Sequence, residues 1–295
     1  MRLDGVYPPI PTPFDADGQL VLSKLVTNLG RWNQTGIAGY VVLGSNGEFV
    51  LLSEKEKLEV VATVREHAAK GKFVLAGTGC EGTLETIKMT KKAAEVGADG
   101  AVVITPSYYR GKMDGAALQY HYETIADASP IPVILYNMPA NTGVDMTADT
   151  VAKLAQHPNI IAIKDSGGNV VKIGDIVRMV DPSFQVFAGS AGFLYPALCL
   201  GAVGGVLALA NVAPEQCVDI FTLTRAGRHE EARQLQLRMI PANSAVTAGF
   251  GIAGLKAAMD MVGMYGGPVR GPLRPLNEQQ TAALRNILKT AGILT

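Results

Sequence analysis

The sequence predicts an α/β protein built as a (β/α)8 TIM barrel and followed by a C-terminal extension of about three helices. Eight short apolar segments recur between residues 5 and 208, and most are continuous rather than alternating, as in parallel strands covered on both faces. Helical segments separate them, so that strand and helix alternate along the chain. A doubly wound sheet is the alternative, but such a sheet rarely needs eight evenly spaced strands.

The predicted strands follow one another at intervals. A weakly repeated sequence pattern marks the start of three of them, in GIAGYVVLG (36–44), GADGAVVIT (97–105) and GAVGGVLAL (201–209). In each, a glycine ends a helix and a short turn leads into a strand. The strands are predicted at residues 5–10, 40–43, 73–76, 101–105, 133–136, 160–164, 185–188 and 205–208.

Helix signals fill the intervals and continue beyond the last strand. Ser53-Glu54-Lys55-Glu56 is a capping box that opens a helix through Lys70, and Thr147 is the predicted N-cap of a helix ending near Gln156. The segments HEEARQLQLRMI, GFGIAGLKAAMDMVG and NEQQTAALRNILKTAG indicate three further helices. We therefore predict a barrel that carries the catalytic site over residues 1–225 and a helical extension over residues 226–295.

The composition is that of a globular protein with a large core. Apolar residues make up 48% and charged residues 18%, and 26 basic residues balance 26 acidic ones, which argues against nucleic acid or a membrane surface as partner. The three cysteines and four histidines are scattered without metal-ligand spacing, so no metal is expected and a reducing, cytoplasmic setting is the default.

Two segments bear on membrane targeting. The N-terminal MRLDGVYPPI has no apolar core, so no signal peptide is expected. Residues 188–214 carry no charge, which raises the question of a membrane span, but proline and glycines interrupt the stretch. We interpret it as a buried helix, a glycine break and a buried strand.

Lys164 is the first candidate for chemistry, because TIM barrels carry their active sites at the carboxyl ends of the strands. It ends the predicted sixth strand, and Ile160, Ala162 and Lys164 would share its inward face. One interpretation is a lysine that leaves the strand for solvent. The other is an amine in an apolar pocket, where burial favours the neutral, nucleophilic form that makes a Schiff base with a keto substrate.

Two further groups are expected at the same rim. Tyr136 ends the predicted fifth strand and could relay protons to a carbinolamine on Lys164, or it could simply cap the barrel core. The turn Gly44-Ser45-Asn46-Gly47-Glu48 follows the second strand, where backbone amides and the Ser45 hydroxyl could hold a carboxylate. An ordinary glycine turn is the alternative.

Several segments, taken together and in this order, resemble a known family. They are PPIPTPF (8–14), GSNGE (44–48), TPSYY (105–109), YNMPANTG (136–143) and IKDSGG (163–168). The chain is similar over essentially its whole length to the dihydrodipicolinate synthase/N-acetylneuraminate lyase superfamily of class I, pyruvate-dependent aldolases. Each motif alone is weak, whereas the set is specific.

The resemblance implies a role for each matching residue. Lys164 matches the Schiff-base lysine, and Tyr136 matches the tyrosine that relays protons. Ser45 and Asn46 match the pair that binds the pyruvyl carboxylate and completes the relay. Tyr108 matches a tyrosine that a neighbouring subunit inserts into the active site, which implies at least a dimer and usually a tetramer, a dimer of dimers. No cofactor or metal is implied.

The departures from the family pattern concern the substrate. Asn141 stands where dihydrodipicolinate synthases carry an arginine, which argues against lysine biosynthesis. The segments GSNGEF, PSYYRGKM, PANTG, KDSGG and AGSAGFL most resemble 4-hydroxy-2-oxoglutarate aldolase of the mitochondrial animal type. We therefore predict cleavage of 4-hydroxy-2-oxoglutarate to pyruvate and glyoxylate, or the corresponding cleavage of a closely related 2-oxo acid. Ser166, Arg110 and Asn141 are the candidates for binding the far carboxylate or hydroxyl of the substrate, and loop hydrogen bonds alone are the alternative. Gly189 is a further candidate substrate-binding residue.

Two rival functions stay open at this point. Within the family, a sugar-acid dehydratase or a 2-keto-3-deoxy-sugar-acid aldolase would share the lysine and the tyrosine and differ in the distal pocket. Outside catalysis, a barrel that only binds a keto acid is possible, although the joint presence of Lys164, Tyr136, Tyr108 and Ser45 argues against it.

Overall fold

The computed structural model describes residues 1–294, in which eight parallel strands form a nearly closed barrel. The sheet order is β1-β8-β7-β6-β5-β4-β3-β2, so each strand after the second lies beside its predecessor in the chain. The TIM-barrel prediction is therefore confirmed. The strands are β1 (Gly5–Tyr7), β2 (Gly39–Val42), β3 (Phe73–Gly77), β4 (Gly100–Ile104), β5 (Val133–Asn137), β6 (Ile160–Asp165), β7 (Gln185–Ala188) and β8 (Gly204–Val206).

The two edge strands, β1 and β2, approach each other and close the barrel. The N–H of Ala38 donates to the carbonyl of Val6 (2.9 Å), and Pro9 forms an isolated parallel bridge with Val41. β1 ends at Tyr7, before its predicted end at residue 10, because the two prolines that follow lack the N–H that a strand ladder requires.

Helices follow the strands and cover the outside of the barrel. The capping box is confirmed, since Ser53 accepts from the N–H of Glu56 and Glu56 accepts from the N–H of Ser53. Thr147 likewise accepts from the N–H of Thr150. The helices are α1 (Leu22–Trp32), α2 (Glu54–His67), α3 (Thr83–Glu95), α4 (Gly115–Ala128), α5 (Pro139–Thr142), α6 (Ala148–Leu154), α7 (Val170–Met179), α8 (Leu194–Cys199), α9 (Pro214–Arg225), α10 (His229–Ser244), α11 (Gly251–Met261) and α12 (Glu278–Thr290).

Two apolar clusters divide the core. One fills the barrel interior, where Ile134, Tyr136 and Ala162 belong, and the other lies between the strands and the helices. Ile160 packs in the outer cluster, so the prediction that it shares a face with Ala162 is wrong. The pairing register shifts between Val133 and Ile134, which pair with Ile160 and Ala162, and this irregularity turns the start of β6 outward.

The three helices predicted after the barrel are α10, α11 and α12. A π-helical turn, Ala245–Gly249, joins α10 to α11. The division into a barrel over residues 1–225 and an extension over 226–295 stays a prediction. The uncharged stretch 188–214 contains α8, a glycine break and β8, as expected, and no helix within residues 1–294 is long and apolar enough to cross a membrane.

Candidate active site

A cavity of about 530 Å³ opens at the carboxyl ends of the strands, where the barrel rule locates the chemistry. It lies among loops that follow β2, β5, β6 and β7 and is completed by the start of α11. Seven of the predicted site residues line it, namely Ser45, Asn46, Tyr136, Asn141, Lys164, Ser166 and Gly189.

Lys164 and Tyr136 lie side by side at the base of this cavity. They are paired in register on neighbouring strands, and both are buried, with 4% and 5% of their surface exposed. The Lys164 Nζ lies 3.8 Å from the centroid of the Tyr136 ring. Within residues 1–294 the Lys164 Nζ makes no ion pair and no protein hydrogen bond, so it is free to contact a ligand in the cavity.

The Tyr136 hydroxyl points toward the turn that follows β2. Its oxygen lies 3.3 Å from the Ser45 Oγ, and either atom could be the donor. The turn itself is one 3-10 turn, Ser45–Gly47, whose carbonyl at Gly47 accepts from the buried Thr12 hydroxyl (2.7 Å). This arrangement joins a hydroxyl relay to a turn with free backbone amides, which is a suitable setting for a carboxylate beside an electrophilic carbon.

Ser166 and Gly189 form one wall of the cavity. The two backbones approach so closely that a Cβ atom at position 189 would lie 2.0 Å from the Ser166 Oγ and 2.6 Å from the Asp165 carbonyl oxygen. Only glycine fits there. The Gly189 N–H donates to the Asp165 carbonyl (2.7 Å), which fixes the loop after β7 against the loop after β6.

A buried polar network lies behind the two central side chains. Asn137 and Asp165, the residues after Tyr136 and Lys164, are joined by a 2.9 Å hydrogen bond, and Lys172 makes ion pairs with Asp165 (2.9 Å) and Asp145. Burial lowers the pKa of Lys172, but its hydrogen bonds to the two carboxylates outweigh burial and raise that pKa. The network ties β5, β6 and α7 together and so fixes the spacing of Tyr136 and Lys164.

The far wall of the cavity comes from residues that the sequence analysis missed. Val246, Thr247 and Ala248 of the π-helical turn line it together with Ile252 and Phe193. π-helical turns of this kind are frequent at functional sites. The sequence predicts site residues only at the carboxyl ends of the barrel strands, and the residues of this turn lie in the C-terminal extension. The glycine pair in GFGIAG, between two predicted helices, was the available signal.

Tyr108 and Arg110 lie outside the cavity of their own chain. Both are exposed, Tyr108 with 79% of its surface, and neither lines the cavity. Glu81 orders their loop, because its carboxylate accepts from the N–H groups of Ser107 and Tyr108 (2.9 Å each). Burial raises the pKa of Glu81, but these hydrogen bonds hold that pKa below its usual value.

A second cavity of about 620 Å³ adjoins the first. The two share Ser45, Asn141, Ile252 and Leu273. The second extends to Glu81 and Ser107, at the base of the loop that carries Tyr108. No group of three or more histidine, cysteine, aspartate or glutamate side chains in residues 1–294 is arranged to hold a metal ion.

The comparisons with known proteins agree with this geometry. The model of the dihydrodipicolinate synthetase family matches residues 2–291. The chain is 38% identical over 292 residues to a 4-hydroxy-tetrahydrodipicolinate synthase of Methanothrix thermoacetophila, across 99% of this chain and 98% of that protein. It is 37% identical over 287 residues to a protein of Emericella nidulans named probable 4-hydroxy-2-oxoglutarate aldolase, mitochondrial, across 95% and 92% of the two.

A solved structure gives the same assignment. The chloride-inhibited dihydrodipicolinate synthase from Acinetobacter baumannii complexed with pyruvate has a TM-score of 0.94 and 33% identity, across 99% of this chain and 100% of that one. The fold, the site at the carboxyl ends of the strands and these likenesses agree, and the chain belongs to the dihydrodipicolinate synthetase family of lyases and aldolases.

Proposed function

We propose that this protein is a class I aldolase that cleaves 4-hydroxy-2-oxoglutarate to pyruvate and glyoxylate through a Schiff base on Lys164. One observation carries the proposal. The buried Lys164 amine, free of any ion pair in the described chain, lies against the Tyr136 ring, whose hydroxyl reaches Ser45. An amine, a phenol and a hydroxyl in this order supply a nucleophile, an acid–base group and a proton relay.

The reaction would proceed in balanced steps. Ser45, Asn46 and their amides hold the C1 carboxylate while the Lys164 amine adds to C2. Tyr136 donates its phenolic proton to the hydroxyl of the carbinolamine, so that water leaves and an iminium and a phenolate remain. The phenolate takes the proton of the C4 hydroxyl as the C3–C4 bond breaks, glyoxylate leaves, and the electron pair of that bond neutralises the iminium to give an enamine. Protonation at C3 and hydrolysis then release pyruvate and restore the free amine.

The choice of substrate rests on the distal half of the cavity. Asn141 and Ser166 line it and can donate hydrogen bonds to the far carboxylate, and Lys164 is its one cationic lining residue among residues 1–294. The lack of a lining arginine distinguishes it from the pocket that the family resemblance implies for lysine biosynthesis. The name of the Emericella nidulans relative points to the same substrate. Arg110 contributes only if a conformational change or a second subunit brings it to the cavity.

The second candidate is an aldolase or dehydratase for 2-keto-3-deoxy sugar acids. The neutral hydroxyl and amide groups of Ser166, Ser190, Thr247 and Asn141 around the distal half favour a hydroxylated substrate tail. A barrel that binds a keto acid without catalysis is the third and most remote hypothesis.

One experiment separates these functions. The enzyme is incubated with pyruvate and borohydride, and the adduct is mapped by mass spectrometry; we expect it on Lys164, and its absence would overturn the Schiff-base mechanism. Pyruvate release is then compared for 4-hydroxy-2-oxoglutarate and a panel of deoxy-keto acids. A dehydratase would instead form a new keto acid without releasing pyruvate. The proposal needs no metal, so activity should survive dialysis against a chelator.

We further propose a homotetramer, arranged as a dimer of dimers, in which Tyr108 enters the site of a neighbouring subunit. The exposure of Tyr108 and the adjoining 620 Å³ cavity support this arrangement. Mixing the inactive Lys164→Ala protein with the inactive Tyr108→Phe protein, under conditions that exchange subunits, should restore part of the activity. No recovery in exchanged oligomers would exclude a tyrosine supplied in trans.

A further inference from the structure

The Ser45–Gly47 turn, which holds the substrate carboxylate in the proposed function, is bracketed by two residues in left-handed conformations. Leu43, before the turn, has φ 60°, and Glu48, after it, has φ 55°. These are the two non-glycine residues of positive φ within residues 1–294. Such conformations cost about 1–3 kcal/mol each and persist where the surroundings enforce them, commonly at functional sites. Something therefore holds the Ser45–Gly47 turn against the local preference of the chain.

Glu48 is held by a buried ion pair. Its side chain is 0% exposed and contacts the Nζ of Lys256, whose side chain is 1% exposed. The other carboxylate oxygen accepts from the backbone N–H of Arg270 (2.8 Å). Lys256 also donates to the carbonyl of Pro268 (2.8 Å) and lies 4.5 Å from the centroid of the Phe14 ring. We call Glu48, Lys256 and Arg270 the Glu48 clamp.

The Glu48 clamp joins the turn to the C-terminal extension. Lys256 lies on α11, whose first residues, Gly251 and Ile252, line the same cavity. The Arg270 guanidinium in turn pairs with Glu56 at the start of α2 (2.7 Å). One buried carboxylate thus connects the turn, the far wall of the cavity and the first helix after the turn.

Stability alone does not explain a charge pair at this depth. Burying two charges costs several kcal/mol, and apolar residues of similar volume are often as stable or more stable, whereas a buried pair can fix one arrangement among several. We propose that the Glu48–Lys256 pair, closed by Arg270, is a positioning device that holds Ser45 and Asn46 in the geometry that receives the carboxylate of the oxo acid. This inference rests on the proposed function, since it assigns a partner to that same site.

The test compares a ligand that has the carboxylate with one that lacks its charge. Borohydride trapping on Lys164 is titrated with pyruvate and with methyl pyruvate, in the wild type and in Glu48→Gln. We expect the half-saturating pyruvate concentration to rise about tenfold in the variant, as misplacing one charge-assisted hydrogen bond would cause. The value for methyl pyruvate should stay nearly constant. Glu56→Gln is the matched control, because it breaks the outer ion pair of Arg270 without touching Glu48, and it should keep the wild-type ratio.

The other outcomes overturn the inference. If both ligands weaken equally, or neither weakens, the Glu48 clamp has no specific effect on the carboxylate site. If Glu48→Gln does not fold, the double variant Glu48→Gln/Lys256→Met is measured instead. It removes both charges and so leaves no unpaired charge buried at this place. A wild-type ratio in that double variant overturns the inference as well. Failure of the wild type to form any pyruvate adduct would instead refute the proposed function, which keeps the two results separate.

Discussion

Two lysines are buried within residues 1–294, and their surroundings are opposite. Lys256 is enclosed with Glu48, a carboxylate that is equally buried. Lys164 lies against the ring of Tyr136 at the base of an open cavity, and within the described chain it has no acidic partner. Burial lowers the pKa of Lys256, and the Glu48 carboxylate acts in the opposite direction. The same residue type is thus neutralised by a partner in one place and left available in the other.

This contrast shows how a structural role and a catalytic role can be told apart for a buried lysine. A partner offsets part of the desolvation cost of a buried charge, and the pair can hold two segments in one arrangement. A buried amine that has no partner but faces a cavity contributes nothing evident to stability and is a candidate nucleophile. Exposure alone does not separate the two, since 4% and 1% are both fully buried; the partner does.

Replacing each lysine by methionine should give the largest difference between the two sites, since one variant should lose activity and the other stability. Lys164→Met should lower pyruvate release on the order of 10⁴-fold, as loss of a covalent nucleophile does, and should leave the free energy of unfolding unchanged or slightly higher. Lys256→Met should lower that free energy by about 3–5 kcal/mol, because Glu48 is left buried and unpaired. Urea denaturation and a pyruvate assay measure both. Equal losses of stability in the two variants would contradict the distinction.

Tyr136→Phe tests the proton relay proposed beside Lys164. The ring stays against Lys164, but the hydroxyl that reaches Ser45 is lost. We expect turnover to fall about 10²–10³-fold, within the usual contribution of a general acid–base group, while the pyruvate adduct on Lys164 still forms at saturation. Ser45→Ala, which removes the other end of the same hydrogen bond, serves for comparison. A variant that turns over normally would remove Tyr136 from the relay.

Local pattern was enough for the barrel and for the position of the central pair at its rim, whereas the roles predicted for that pair came from the family resemblance. Continuous apolar runs identified the strands, and because parallel strands of a barrel all end at one rim, Lys164 and Tyr136 followed from being the last residues of their runs. The pairing of Glu48 with Lys256 was not predictable, since it joins segments far apart in the chain, and the GSNGE motif around Glu48 does not indicate a distant partner. The outward turn of Ile160 and the π-helical far wall arise from irregularities that no ideal period contains.

The network behind the site offers a second paired lysine. Asp165→Asn removes the buried partner of Lys172 and should lower the free energy of unfolding by about 3 kcal/mol, because Asp165 is fully buried and also holds Asn137. Asp175→Asn, on the helix α7 that carries Lys172, breaks an exposed ion pair with Arg178. This variant should change the free energy of unfolding little. Denaturant titration of the two variants decides it. Equal effects would mean that the buried network contributes no more than a surface pair.

His121 is a third buried basic group, and like Lys164 it has no carboxylate bonded to it. Its Nδ1 lies 2.9 Å from the Thr83 Oγ1, and its Nε2 has no partner among the atoms of residues 1–294. Burial lowers the pKa of His121 to about 4, although the nearby Glu81 acts in the opposite direction. The folded protein therefore keeps this ring neutral at a pH where the unfolded chain protonates it. Since the unfolded state binds more protons between about pH 6.5 and 4, stability should fall as the pH falls through that window.

From pH 7 to pH 5 the loss assigned to His121 is roughly 2 kcal/mol, because a shift of one pKa unit corresponds to about 1.4 kcal/mol. His121→Gln removes the titrating ring and keeps a group that can bond to Thr83. We expect the wild type to lose more stability than this variant over that interval, with both proteins measured by urea denaturation at each pH. The other titrating groups are common to the two proteins and cancel, except for Glu81, whose pKa His121 also affects. Identical pH dependences would show that the ring is solvated or paired in the folded state, and burial without a partner would then not suffice to keep a basic group neutral in this protein.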